Sequence, residues 1–184
     1  AEVWLTDMSQ RLQTRVRNPE ERLVILKTVH YEARRAALEP ELILALINVE
    51  SNFDRFAISS AGAQGLMQIM PFWLDEIGQP EDNLMDIRTN IRFGCTILSH
   101  YLKREKGNMY RALARYNGSL GETWYPARVE RALRHAARRG RDGGPEAVQR
   151  LHADVEPASL VAEARPVRYG AVAKRDLAER VGRT

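Results

Sequence analysis

Pro40 opens the stretch that most constrains the fold. Glu39-Pro40 reads as a helix start, because proline suits the first helical turn, where its missing N–H would have had no partner anyway. The helix that follows, 41–51, is apolar almost all round, with Leu42, Ile43, Leu44, Leu46, Ile47 and Val49. A helix without a polar side belongs in the middle of a domain, so the rest of the chain must wrap it. The 184 residues are enough for one domain with a real core, and short for two.

The flanking segments read as helices too. Residues 3–16 carry Val3, Leu5, Met8, Leu12 and Val16 in an imperfect helical stripe. Asn18-Pro19 predicts an N-cap and a second helix to about Ala37, with Leu23, Leu26, Val29 and Ala33 inward. From Phe53 to Gln68 the helical period is lost. Ser59-Ser60-Ala61-Gly62-Ala63-Gln64-Gly65 predicts a loop or a short extended piece. Pro71 restarts a short helix that Gly78 can end. Asp86 caps a long helix to about Lys106, with Ile87, Ile91, Gly94, Leu98 and Tyr101 on its buried face and Gly107 as its stop. Asn108 caps a helix through Tyr116, and 124–137 is the last helix of the domain. After Gly140 the composition turns to Arg, Ala and Glu with few aromatics, which is poor material for a core. The expected organisation is a helical lead-in at 1–19, a mainly α domain at 20–138 and a poorly structured tail at 139–184.

Bulk properties exclude more than they assign. Hydrophobic residues at 44% and charged residues at 28% are ordinary globular values, so function has to be read from individual residues. Lys and Arg exceed Asp and Glu by 28 to 24, a diffuse excess that comes largely from arginines after Arg128. With no recognition motif beside it, it does not indicate a nucleic-acid binder. No apolar run reaches the ~18 residues of a membrane span. The chain starts Ala1-Glu2 without a charged–apolar–small leader, so export is expected from function alone. Cys95 is the one cysteine, in the apolar-patterned stretch 91–102, and reads as a small buried hydrophobe. One Cys and four scattered His show no metal-ligand spacing, and no cofactor is expected.

Glu50 is the residue with chemical promise. It closes the apolar helix, seven, four and three residues after Ile43, Leu46 and Ile47, spacings that put its carboxylate on their face. Desolvation there favours the protonated form nearer neutral pH, as a general acid for glycoside cleavage requires. Helix position alone favours the plainer reading, a terminal glutamate that simply reaches solvent, because charged residues are rarely buried unpaired.

The residues after Glu50 carry a sharper signal. Glu50-Ser51 is followed by Gly65-Leu66-Met67-Gln68-Ile69-Met70-Pro71, and much later by Ala114-Arg115-Tyr116-Asn117-Gly118. In that order they resemble the three signature motifs of the SLT-type lytic transglycosylases, glycoside hydrolase family 23. Asn90-Ile91 with Gly94 also fits that pattern, and the resemblance covers roughly 28–129. It implies a lysozyme-like (goose-type) helical domain with a substrate cleft. It places Glu50 as the catalytic acid/base. Ser59 would lie near the substrate's N-acetyl group, Gln68 and Met70 beside the scissile bond, Tyr116 close to the catalytic carboxylate, and Asn117 would help hold this part of the site.

Each has a plainer reading. Met67 and Met70 could fill the core, Tyr116 could be a core tyrosine, and Ser59 or its neighbour Ser60 could be a loop serine. Arg115 and Ser119 stand where the family prefers small or neutral residues, and would adjust loop shape or substrate charge contacts. Trp124-Tyr125-Pro126 matches the family's closing segment only loosely, which gives Tyr125 little claim to the site. Trp73 and Trp124 could stack on sugars, though buried packing is the commoner fate.

Most glycosidases use two carboxylates, with substrate-assisted enzymes among the exceptions. Asp54, Asp75, Glu76 and Asp86 lie near Glu50 in sequence, and none belongs to a recognised pair. The resemblance therefore implies cleavage of peptidoglycan glycan strands between N-acetylmuramic acid and N-acetylglucosamine, leaving 1,6-anhydro ends. The expected setting is an exported bacterial protein of the periplasm or cell envelope, monomeric, with its tail free to contact cell-wall machinery. The alternatives are a hydrolytic muramidase on the same fold and a non-catalytic murein-binding scaffold.

Overall fold

The computed structural model describes residues 2–138, and the expectations for the tail at 139–184 lie outside them. Seven helices make up the described chain: α1 (Glu2–Leu12), α2 (Pro19–Arg35), α3 (Pro40–Glu50), α4 (Phe72–Ile77), α5 (Ile87–Arg104), α6 (Met109–Asn117) and α7 (Trp124–Arg138). The predicted caps form as chemistry dictates. The Asn18 side chain accepts from the backbone N–H of Glu20 and Glu21, Asp86 from Thr89 at 2.8 Å, and Asn108 from Arg111 at 2.8 Å.

α3 is central, with every residue from Leu42 to Ile47 buried. α7 and α2 pack against it, α5 against α2, and α6 bridges α5 and α7. The face expected for α5 is the one that enters the core: Ile87, Ile91, Gly94, Leu98 and Tyr101 are all buried. Cys95 is fully buried beside them, and burial pushes its thiol far above the ordinary range, with the charge of Glu32 adding to the effect. It is an inert packing residue rather than a nucleophile.

Two expectations are corrected. The first helix ends at Leu12 rather than running to Val16. The chain must turn there to deliver Asn18 as a cap, and Arg22 Nη1 holds the turn by donating to the Val16 carbonyl at 2.6 Å. Val16 keeps its place in the core all the same. Leu23 is exposed, because the face of α2 that enters the core is set by Ile25, Leu26, Val29, Glu32 and Ala33. At about 100° per residue Leu23 lies roughly 120° away from the middle of that face. α1 is also more than a preface: Met8 and Leu12 are core residues, Trp4 Nε1 donates to Glu41 at 2.7 Å, and Arg11 Nη1 donates to the Ala136 carbonyl at 2.8 Å.

Candidate active site

Glu50 is the last residue of α3, half-buried, with Ile43, Leu46 and Ile47 of its own helix buried behind it. The hydroxyl of Tyr125 donates to its Oε1. Tyr125 sits in the first turn of α7 and is 1% exposed. The packing of α7 on α3 thus delivers a buried phenol to the carboxylate. The loose motif match around Trp124-Tyr125-Pro126 undervalued this residue.

The chain leaves α3 by an uncommon route. Asn52 (φ 51°) and Phe53 (φ 68°) are consecutive left-handed residues, a conformation costing roughly 1–3 kcal/mol at each non-glycine position. Burial of Phe53 in the core offsets part of that cost. The Ser51 hydroxyl donates to the Leu66 carbonyl at 2.8 Å and so fastens the end of α3 to the loop beyond.

That loop contains the short extended piece the sequence suggested. Ile58 pairs with Gln64, and Gln64 with Ile69, both antiparallel. Ser59 N donates to Ala63 O and Gly65 N to Ala57 O, each at 2.9 Å. The Ser59 side chain is half-buried and accepts from Ala63 N at 3.0 Å, so its hydroxyl braces this turn.

Residues 64–68 are gripped from behind by α5. Asn90 is buried and fully engaged: its Oδ1 accepts from Met67 N at 2.7 Å, and its Nδ2 donates to the carbonyls of Gln64 (2.8 Å) and Leu84 (2.7 Å). Only glycine fits at 65, where φ is +76° and a Cβ would come within 2.3 Å of the Asn90 amide. Gly94 makes room for Met67 in the same way, since a Cβ there would meet the sulfur at 2.3 Å. Met67 is therefore core, while Met70 is half-buried. Gln68 takes a left-handed φ of 52°, and its Nε2 donates to the carbonyls of Ala57 (3.1 Å) and Gly65 (3.0 Å). Its amide nitrogen is thus committed to holding the loop.

Gln68, Met70, Trp73, Tyr101, Tyr116 and Asn117 line one cavity between this loop and helices α5 and α6. Glu50 and Ser59 lie outside that lining. The Tyr116 hydroxyl donates to the Met67 carbonyl at 2.8 Å, so the phenol hydrogen-bonded to the Glu50 carboxylate is that of Tyr125. Burial, and then the charge of Glu50, push the Tyr116 phenol well above the ordinary tyrosine range. It stays a donor at working pH, within electrostatic reach of the carboxylate. Asn117 is 1% exposed, and its amide atoms find no partner among the described residues.

The other residues weighed from sequence have structural work. Arg115 is paired with Glu105 at 2.5 Å, which ties α6 to the end of α5. Trp73 packs edge-on against Tyr101 and Trp124 against Tyr125, both tryptophans half-buried. Of the carboxylates near Glu50 in sequence, Asp86 caps α5, Asp54 holds the Phe56 N–H at 2.9 Å, and Asp75 and Glu76 are exposed on α4.

Comparison with known proteins adds independent findings. The family model of the transglycosylase SLT domain matches residues 27–137. The membrane-bound lytic murein transglycosylase C of Mannheimia succiniciproducens is 31% identical over 112 residues, which is 52% of this chain and 31% of that protein. The transglycosylase of Enterobacteria phage PRD1 is 29% identical over 104 residues, 56% of this chain and 38% of that protein. This chain thus spans well under half the length of either relative. Among solved structures, an inactive mutant of the lytic transglycosylase Slt from Pseudomonas aeruginosa aligns with a TM-score of 0.47 at 26% identity, over 68% of this chain and 22% of that one.

Proposed function

Because the chain belongs to the transglycosylase SLT family, we propose that it is a lytic murein transglycosylase acting on peptidoglycan glycan strands, with Glu50 as its acid and base. The observation that carries this reading is a half-buried carboxylate at the end of an apolar helix, held by a buried tyrosine, while the neighbouring carboxylates cap, brace or face water.

One carboxylate can perform both proton transfers if the sugar assists. Glu50 protonates the oxygen joining N-acetylmuramic acid to N-acetylglucosamine, and the C–O bond breaks. The muramic N-acetyl oxygen bonds to the anomeric carbon in place of an enzymic nucleophile. Glu50, now a base, takes the proton of the C6 hydroxyl, whose oxygen attacks the anomeric carbon and releases the acetamido group. The product is a 1,6-anhydro-muramic end, and no water is consumed.

The surrounding residues serve orientation. Tyr125 holds the carboxylate. Asn90 and Tyr116 hold the backbone N–H and carbonyl of Met67, and with them Gln68 and Met70 at the cleft wall. Ser59 braces the turn that precedes the motif loop, and Asn117 lies in the cavity lining at the end of α6. The place of action is the cell envelope, where this polymer lies; among the described residues no helix is long and apolar enough to cross a membrane.

The test is the mass of the products released from purified sacculi. Transglycosylation leaves each new end one water lighter than hydrolysis does. Products carrying the extra water would replace this reading with a muramidase, and intact sacculi would reject both.

A further inference from the structure

Leu23, Lys27 and Tyr31 follow one another at single-turn steps along α2, all exposed, Leu23 at 41% and Tyr31 at 66%. A lone exposed apolar side chain needs no explanation. These stand instead around a concavity. With Thr28, and with Arg88 of α5, they border a hollow of about 420 Å³, a volume in the range of ligand pockets. A second hollow of about 340 Å³ lies between α1 and α2, bordered by Leu5, Gln10 and Gln13. Leu23 belongs to both linings, so the two hollows form one groove.

The charge of this groove is one-sided. Lys27 and Arg88 are exposed, and neither has an ion pair or hydrogen bond among the described residues. The carboxylate in the lining, Glu32, is buried and already held by Arg35 at 2.5 Å. Arg35 also donates to Thr96 of α5 at 2.9 Å, which ties the two walls together. The groove thus offers two uncommitted cations on a fixed frame.

Its position separates it from the reaction. Ile97 and Tyr101 line the cleft cavity. Arg88 lies nine residues before Ile97, which at about 100° per residue puts it on the opposite face of α5. Leu23 and the α1 residues also precede residue 27, where the match to the transglycosylase SLT domain begins. The groove is built where the lead-in helix meets the catalytic domain, and an occupant leaves the cleft open.

The lining discriminates among occupants. Two free cations beside Leu23 and Val24 call for carboxylates next to an apolar side chain. The exposed amides of Gln10 and Gln13, one turn apart on α1, carry donor and acceptor together, as pairing with a peptide backbone requires. A lipid chain laid across them would strip their water and return no hydrogen bond. We propose that the α1–α2–α5 groove docks an acidic peptide segment of a partner protein. Its carboxylates would meet Lys27 and Arg88, an apolar side chain would lie against Leu23, and its backbone would pair with Gln10 and Gln13. The partner would hold the protein in place without competing with the glycan.

The experiment begins with a displayed library of random peptides selected on the full chain. Enriched peptides should carry Asp or Glu beside a large apolar residue. The tightest is then titrated into the nitrogen-15-labelled full chain. Shifts should centre on the amides of Gln10, Leu23, Lys27 and Arg88, with binding at least about tenfold weaker in the variant Lys27→Glu, Arg88→Glu. Both side chains are exposed and without partners, so the melting temperature should not move. Activity on sacculi should be the same with peptide bound and in the variant, and a change would place the peptide in the cleft. A selection that yields no peptide or shows no acidic preference, shifts at Gln68 and Tyr116 instead, or binding that the variant leaves intact would each overturn the proposal. Three other results would overturn it by naming a different occupant. Anionic phospholipid vesicles that shift the same amides would assign the groove to a membrane surface. The same shifts on concentrating the chain alone would assign it to a second copy. A carbodiimide cross-link from Lys27 to a carboxylate of residues 139–184 would assign it to the chain itself.

Discussion

Glu50 and Tyr125 are 75 residues apart in the chain and share a hydrogen bond. A hydrogen bond to a charged group contributes about 1.5–3 kcal/mol, roughly a ten- to hundredfold effect. If Tyr125 orients the carboxylate for reaction, Tyr125→Phe should lower kcat by about that factor while KM changes little. Steady-state kinetics on soluble glycan chains would show it, and an unaltered kcat would reduce Tyr125 to packing. This residue also marks the limit of what the amino-acid order disclosed. Glu50, Met70 and Tyr116 could be singled out because each sits in a local motif with tight spacing. Tyr125 acquires its partner only when α7 closes over the end of α3, and a three-residue segment of loose resemblance carries no trace of that. Tyr116 has the complementary history: the motif put it near the carboxylate, but which atom its hydroxyl meets depends on where α5 holds Met67.

Individual helices were legible where a cap or a glycine carries its own physics. Asn18, Asp86 and Asn108 cap as their side chains require, Gly65 is glycine because a Cβ would strike the Leu84 carbonyl and the Asn90 amide, and Gly94 leaves its space to the Met67 side chain. Gly94→Ala should therefore cost about 1–3 kcal/mol by overpacking Met67, visible as a lowered melting temperature. Stability equal to wild type would show that Met67 can step aside. The errors were of another kind. Leu23 and the end of α1 depend on which neighbour each helix meets, and periodicity within one helix does not contain that. The α5–α6 junction adds a pH dependence. Burial works to raise the Glu105 carboxyl, but hydrogen bonds and charges from Arg111 and Arg115 outweigh it and hold it below its ordinary value of 4.5. A depressed folded value means the ion pairs contribute fully above that ordinary value, and the contribution is lost as pH falls through the lower one. Urea unfolding should then show wild type more stable than Glu105→Gln near neutral pH, with the gap closing in the range below 4.5. A gap that stays constant into acid would contradict this.

At the scale of the molecule, one core joins α1 to the helices that carry the site. Leu12 and Met8 belong to the same buried cluster as Ile47 and Val129. Leu12→Ala should thus cost about 2–5 kcal/mol and shift a single unfolding transition as a whole. A separate early transition for α1 would make it an appendage. The whole arrangement holds one carboxylate against the core, clasped by a phenol, and the proposed route asks it to serve as both acid and base while the sugar supplies the nucleophile. Mass spectrometry of muropeptides released from sacculi by the Glu50→Gln variant tests that claim most directly. The amide keeps the shape and can neither donate nor take the proton, so a protein with wild-type circular dichroism should release no anhydro-muropeptides. Release at the wild-type rate would contradict the account.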